Sequence, residues 1–152
     1  MEVAERDAIL AWHILDETKC LRYGDGRTVK VGETLSYDGW LAMNLCQRGM
    51  HVSKRLADAA RNFPTGHYYV TRVAVWGTVW CIEGFGPANP DKMCAEHRQC
   101  LGIARCTEVL ARALKRSLPY VEGYGFLNLC VTHPELVEEI ALELTKPKWK
   151  AA

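Results

Sequence analysis

The first half of the chain contains short stretches, either apolar or weakly alternating, that are typical of β-strands. Residues 8–15 form an apolar run with one histidine, which predicts a buried strand. Residues 67–83 are rich in Tyr, Val, Thr and Trp and predict the longest strand, in which Gly77 marks a bend or bulge. Residues 28–31 and 34–37 alternate more weakly and predict two short strands.

Three later stretches follow helical patterns instead. Residues 54–62 are rich in alanine and lack β-branched residues, which predicts a two-turn helix. Residues 90–118 begin with a proline after a potential capping asparagine and carry apolar residues at helical spacing, so we expect a long helix. A last helix is expected over 133–145, where Thr132 and Glu135 form the pattern of a capping box.

These elements together predict an α+β fold. We expect a bent, mainly antiparallel sheet over about residues 9–83, packed by the three helices. The length of 152 residues suits a single domain with its own core, sheet-rich over 1–90 and helical over 91–152.

Composition narrows the functional classes only slightly. The formal net charge of +1 gives no global reason to expect binding to nucleic acid or to an anionic membrane. No apolar run reaches the roughly 18 residues that span a bilayer, and the N-terminus lacks the basic and apolar regions of an export signal. We therefore expect a cytoplasmic protein with no membrane partner.

The seven cysteines contain no C-x-x-C pair, so we expect reduced thiols and no bound metal. Cys94, His97 and Cys100 are spaced like ligands, but on the predicted helix Cys94 and Cys100 would lie about 240° apart. Their charged neighbours predict that these two thiols react first. Cys81 and Cys130, in apolar runs, are expected to react last.

Candidate chemistry is concentrated in two histidine-containing strands. Residues 50–53 predict a short strand in which His51 and Ser53 share a face. If His13 and His51 lie on neighbouring strands, they would converge on a cleft that orients a ribose or phosphate, or provides a general base. The alternatives are a core histidine at position 13, a helix cap at Ser53, and a solvated charge rather than a phosphate ligand at Arg48.

A row of basic residues on the predicted long helix is a second candidate surface. The arginines recur every seven residues, and two further cations lie near the helix end. Such a row is either a solvated face or a strip that attracts phosphates or an acidic protein. Its members are Arg98, Arg105, Arg112, Lys115 and Arg116.

Five short motifs in fixed order resemble a small family of proteins that is frequent in bacteriophages and prophages. They are W-H-[FI]-L at 12–15, G-D-G-R at 24–27, R-G-[LM]-H-[AV]-S at 48–53, V-x-V-x-G at 73–77 and D-K at 91–92. The resemblance covers over half of the chain and implies an origin in phage or prophage and a location in the bacterial host cell.

The order of the strands is also similar, more weakly, to the ADP-ribosyltransferase fold, whose strands line an NAD cleft. The likeness implies that His13 and Ser53 hold the nicotinamide ribose, whereas Arg48 and His51 hold the pyrophosphate. The candidate catalytic residues are then His13, His51 and Ser53. Arg48, Tyr69 and Arg72 are the candidates for cofactor binding.

Two functional hypotheses follow. In the first, the protein has a nucleotide cleft and, as an enzyme, transfers ADP-ribose from NAD to a host macromolecule. In the second, it is a non-catalytic protein that inhibits a host antiviral system, for example of the CRISPR type, by binding a host protein or nucleoprotein complex. The basic row and the five tryptophans motivate the second hypothesis, because tryptophan and arginine are enriched at interface hot spots.

Overall fold

The computed structural model describes residues 8–21, 26–37, 50–62, 66–81, 84–85, 92–116 and 125–146. The fold is α+β, as predicted. The strands are β1 (Ile9–Leu15), β2 (Thr34–Ser36), β3 (Met50–Val52), β4 (Tyr69–Cys81), β5 (Gly84–Phe85) and β6 (Met93–Arg105). The helices are α1 (Leu56–Asn62), α2 (Cys106–Arg116), α3 (Phe126–Thr132) and α4 (Pro134–Leu144).

Strand β6 is the centre of the antiparallel sheet. One of its edges pairs with β4 along its whole length, and the other pairs with β3 near its start and with β2 near its middle. Strand β1 lies on the far side of β4, and β5 pairs with the end of β4. The predicted strands near 9–15 and 69–81 are therefore confirmed, and Gly77 lies in a register shift of β4 with a φ of 82°.

The prediction of one helix over 90–118 is wrong for its first half. Met93–Arg105 is the strand β6, and the helix begins only at Cys106. The sheet thus continues to residue 105 rather than ending near 83, and the change from sheet to helices lies at 105/106 rather than near 90. Pairing on both edges buries this segment, and such tertiary contacts override a weak local helix propensity.

A backbone pair between Trp12 and Ser53 closes the sheet on itself. The amide of Trp12 donates to the carbonyl of Ser53 at 2.7 Å, and the amide of Ser53 donates back at 2.9 Å. Ser53 directly follows β3, which is bonded to β6, so this single pair completes a ring in the order β1, β4, β6, β3 and again β1. The bend predicted for the sheet is this closure.

The two faces of the curved sheet carry separate cores. The outer face of β1 and β4 packs against the helices through Trp12, Ile14 and Val70. The inner face holds two smaller clusters, one around Val73 and Val75 and the other around Leu21 and Val29. The latter two residues belong to the described segments 16–21 and 26–31, which pair through Cys20 and Thr28 and are called the 16–31 hairpin below. Residues on successive positions of one strand therefore belong to different environments.

The last helix begins one residue later than the predicted capping box, with its N-cap at His133 rather than at Thr132. His133 occupies the N-cap position of α4 without a capping side-chain bond, and Pro134 is in the first turn. The hydroxyl of Thr132 instead donates back to the carbonyl of Asn128 at 2.9 Å. The preceding helix α3 ends at Thr132 and uses that hydroxyl, so it is not available to cap α4.

The Trp12 side chain connects the sheet to α4, which generates a prediction about stability. Its indole is completely buried, and Nε1 donates to Oε1 of Glu138 at 2.9 Å. The substitution Trp12→Phe removes this donor to a charged group and should lower the free energy of unfolding by about 1.5–3 kcal/mol. Urea denaturation followed by circular dichroism measures the change.

A pair of glutamates on α4 provides the control. Glu138→Gln keeps an acceptor oxygen for the indole and should cost less than Trp12→Phe. Glu139→Gln changes a neighbouring residue that only reaches Arg116 at 4.0 Å, and it should cost under about 1 kcal/mol. Equal denaturation midpoints for wild type and Trp12→Phe would contradict the assignment.

Candidate functional site

The predicted catalytic residue His13 lies on the inner face of the sheet and is paired with a buried arginine. Nη1 of Arg98 lies 2.9 Å from Nδ1 of His13, and both side chains are almost completely buried. Because guanidinium groups only donate, Nδ1 must accept, which leaves the proton of a neutral imidazole on Nε2. The hydroxyl of Thr71 also donates to the carbonyl of His13 at 2.7 Å, so this part of β1 is firmly held.

The other two predicted catalytic residues, His51 and Ser53, lie on the opposite face. Ser53 forms a backbone pair with Trp12, and paired residues point to the same face of a sheet. His13 follows Trp12 in β1 and therefore points to the other face. The hydroxyl of Ser53 accepts from Nδ2 of Asn62 at 3.2 Å, at the end of α1. The structure therefore does not bring His13 together with His51 and Ser53 in one cleft.

The residues predicted to bind the cofactor are also separated. Arg48 lies outside the described residues. Arg72 lies on the outer face, with its guanidinium carbon 4.5 Å from the centre of the Trp12 ring. Burial lowers the pKa of Arg72, and the nearby Glu138 partly opposes that shift. Tyr69 packs at the inner face beside the 16–31 hairpin instead.

The predicted row of basic residues is not a continuous strip, because its first half lies on a strand. Arg98 is 1% exposed and points into the sheet. Arg105 is exposed at the end of β6, and the remaining three cations lie on α2. The interaction hypothesis therefore loses the regular spacing that motivated it.

Two of the arginines on α2 are engaged by carboxylates. Arg112 lies 3.3 Å from Glu108, and Nη2 of Arg116 lies within 2.9 Å of both carboxylate oxygens of Glu143. The hydrogen bonds between Arg116 and Glu143 raise the pKa of the arginine and lower that of the glutamate. Both groups remain at the surface, where such pairs contribute little to stability.

A different group of cations surrounds an open cavity of about 640 Å³ between the 16–31 hairpin and the junction of β6 with α2. Its size falls in the range of small-molecule sites. The lining residues are Lys19, Thr28, Val29, Lys30, Val31, Tyr69, Ile103, Ala104, Arg105 and Glu108. Three of these side chains are cationic and one is anionic.

The hairpin holds Lys19 in an uncommon backbone conformation. Its φ is 59°, which L-residues other than Asn and Asp seldom adopt. The amide of Lys19 donates to the carbonyl of Asp16 at 3.2 Å, and its carbonyl accepts from Val29 at 2.8 Å. These bonds fix the turn and place Nζ of Lys19 4.6 Å from the centre of the Tyr69 ring, in cation–π range.

The electrostatics of this basic cavity favour an anion. Arg105 immediately precedes α2, so the cavity lies at the helix end where the backbone dipole is positive. Glu108 is the lining carboxylate, but its Oε1 is 3.3 Å from Arg112, which does not line the cavity. Among the described lining residues, the three cations Lys19, Lys30 and Arg105 outnumber this carboxylate, so their summed charge is positive.

The sequence pattern pointed to Tyr69 and Arg105 but not to Lys19 and Lys30. The signal that was available is the hairpin itself, in which the pairing of Cys20 with Thr28 places the flanking lysines near each other. Nothing in the spacing indicates that this hairpin folds against Tyr69 and the end of β6. That contact is a product of the tertiary structure.

Comparisons with family models, with curated proteins and with solved structures give no match for this chain. The resemblances to a phage family and to ADP-ribosyltransferases therefore stay predictions. Within the residues that the structure describes, no helix is long and apolar enough to cross a membrane. In the same residues, no cluster of His, Cys, Asp and Glu is arranged to hold a metal ion.

The cysteines give a testable correction. Cys94 and Cys100 are 0% and 1% exposed on β6, so the prediction that their thiols react first is wrong. Burial raises the pKa of Cys100 and Cys106, and it raises that of Cys130 to about 12. Cys20, in the hairpin, is partly exposed.

We expect Cys20 to be the first of these five thiols to react with iodoacetamide near neutral pH. The buried thiols should react only after denaturation, because the reagent cannot reach them and burial keeps Cys100, Cys106 and Cys130 protonated. Peptide mapping by mass spectrometry at successive times measures the order. Cys20→Ser should remove the fast-reacting peptide, and labelling of Cys94 as fast as Cys20 would contradict the burial described above.

Proposed function

We propose that the protein binds a nucleotide or a closely related phosphate-bearing ligand in the basic cavity. The observation that carries the proposal is the convergence of Lys19, Lys30 and Arg105 around an open cavity beside an aromatic ring. The nucleotide predicted from the sequence is thus placed at the 16–31 hairpin instead of between His13 and His51. Of the residues predicted to bind the cofactor, Tyr69 stays part of it.

The cations suit phosphate groups for separate reasons. The planar guanidinium of Arg105 matches two oxygens of one phosphate, whereas the lysine ammonium groups act as point charges. Lys30 and Arg105 are exposed, so they are already accessible to a diffusing anion. Lys19 is positioned by the turn and by Tyr69, which reduces the side-chain freedom lost on binding.

The remaining lining supplies apolar area for the non-phosphate part of the ligand. Tyr69, Ile103 and Ala104 form one wall, and Val31, which is 49% exposed, forms part of the opposite side. Aromatic rings stack on nucleobases with little preference for the base. A dinucleotide such as NAD, with two phosphates between two ring systems, fits this division into charged and apolar parts.

Transfer of ADP-ribose from bound NAD to a host macromolecule is the reaction that the resemblance implies, and it remains a further step of the proposal. Glu108 is a carboxylate in the cavity lining, so Glu108→Gln is the substitution that tests whether a carboxylate takes part in the transfer. Mass spectrometry of host proteins and nucleic acids after expression tests for added ADP-ribose. If the protein binds NAD but no ADP-ribose is found on host molecules, the binding site stands and the transfer reaction is wrong.

Calorimetric titration tests the binding itself. We expect NAD, ADP-ribose and ATP to bind, whereas nicotinamide and adenosine, which lack phosphate, should bind at least about tenfold more weakly, a difference of about 1.4 kcal/mol. Affinity for the phosphate ligands should fall as salt is raised from 0.05 to about 0.5 M, because the site is exposed to solvent.

Charge reversal provides the matched comparison. Lys30→Glu and Arg105→Glu should each weaken binding by about tenfold or more. Lys54→Glu changes the charge by the same amount at an exposed position that does not line the cavity, and it should have little effect. Absence of binding at millimolar ligand by the folded wild type, or equal loss in all three variants, would overturn the proposal.

A further inference from the structure

A serine, a histidine and a glutamate come together near the middle of β6, away from the basic cavity. Ser36 of β2 and His97 of β6 are directly opposite each other in the ladder. Oγ of Ser36 lies 2.8 Å from Nδ1 of His97. On the other side of the imidazole ring, Nε2 lies 3.5 Å from Oε1 of Glu96.

The register shift in β4 makes this arrangement possible. Side chains of consecutive strand residues ordinarily point to opposite faces, yet those of Glu96 and His97 both lie beside Gly77. A Cβ atom on Gly77 would be 2.7 Å from Oε1 of Glu96 and 2.7 Å from Cδ2 of His97. The positive φ of Gly77 and its missing side chain thus leave room for both groups.

Two further contacts orient the glutamate and the histidine. The backbone amide of Thr78, also in the register shift, donates to Oε1 of Glu96 at 3.1 Å. The ring of Trp76 lies against that of His97, with centres 5.7 Å apart and an angle of 33° between the planes. The carboxylate and the imidazole are therefore each held from a second side.

The cluster is accessible and separate from the basic cavity. Ser36 and His97 are each partly exposed, and the side chain of Glu96 is 42% exposed. His97 is six positions from Ile103 of the cavity lining along β6, about 20 Å of extended strand. Val31, another residue of that lining, lies opposite Cys100, which is three positions, or about 10 Å, from His97. The cluster and the cavity lining share no residue.

We propose that Ser36, His97 and Glu96 form a serine acyl-transfer site that acts on esters. The combination has the three parts that activate a weak nucleophile: a hydroxyl, a base within hydrogen-bond distance, and an anion on the far side of the base. Ser36 is the nucleophile and His97 the general base. Glu96 is a positioning residue that stabilises the imidazolium, and Trp76 provides an apolar wall for the substrate.

The reaction balances without a cofactor. Oγ of Ser36 attacks the ester carbonyl carbon while its proton passes to Nδ1 of His97. The bond from that carbon to the alcohol oxygen then breaks, and the alcohol leaves with the proton from His97. Water repeats the sequence on the acyl-serine, which releases the acid and restores both side chains.

A fluorophosphonate probe tests the nucleophile directly, because it attaches to serines that are activated by a base. We expect one adduct on wild-type protein, located on Ser36 by peptide mapping, and slow release of nitrophenol from p-nitrophenyl acetate. Ser36→Ala should abolish the adduct. His97→Gln should slow labelling by about 100-fold or more, which is the usual contribution of a general base.

The remaining variants separate catalysis from structure. Glu96→Gln keeps an acceptor oxygen for Thr78 but removes the charge, so a merely structural role would leave the labelling rate unchanged, whereas our proposal expects it to fall. Thr34→Ala removes another hydroxyl from β2 and should label like wild type. Thermal unfolding of each variant identifies any loss of folding.

The mapping of the wild-type adduct does not depend on any variant. An adduct on another residue, or labelling of wild type no faster than that of denatured protein, would overturn the proposal and leave Ser36 and His97 as a structural cross-strand pair. Because the assay contains no nucleotide, its outcome is independent of nucleotide binding in the basic cavity.

Discussion

The arrangement of the molecule depends on the contacts of one residue, Trp12. Its backbone pairs with Ser53 and closes the sheet, and its indole is buried among the helices with Nε1 bonded to Glu138. The same ring is covered by the guanidinium of Arg72 from the neighbouring strand. A single position thus connects β1, β3, β4 and α4, and burial of so large an aromatic side chain contributes strongly to the core.

Closure of the sheet has a direct consequence for its chemistry. A closed sheet has an inner face that is filled by side chains, so polar groups on that face contact each other rather than a ligand. The pair of His13 and Arg98 has this character. At the outer face, the approach of α4 is so close that a Cβ on Gly102 would lie 2.4 Å from the carbonyl oxygen of Thr145, which leaves no room for a ligand there.

Accessible polar groups therefore occur where the regular sheet is interrupted. One interruption is the 16–31 hairpin, whose lysines face the end of β6 across the basic cavity. The other is the register shift at Gly77, which brings Glu96 and His97 to the same side of the strand. Both places are built on β6, whose pairing on two edges makes it a rigid support, and rigid supports hold functional groups at defined distances.

The sequence by itself determined the local features of this protein. The apolar run of residues 8–15, the β-favouring residues of 67–83, the alanine-rich stretch before Asn62 and the glycine at position 77 predict elements that the structure contains, because each depends on interactions between near neighbours. It did not determine that Met93–Arg105 is a strand, since that state requires partners from β2, β3 and β4 that are distant in the chain.

The same limit applies to the candidate sites. Strand periodicity places His51 and Ser53 on one face, but only the closure at Trp12 decides that His13 faces the other way, and only packing of the hairpin brings Lys19 to Tyr69.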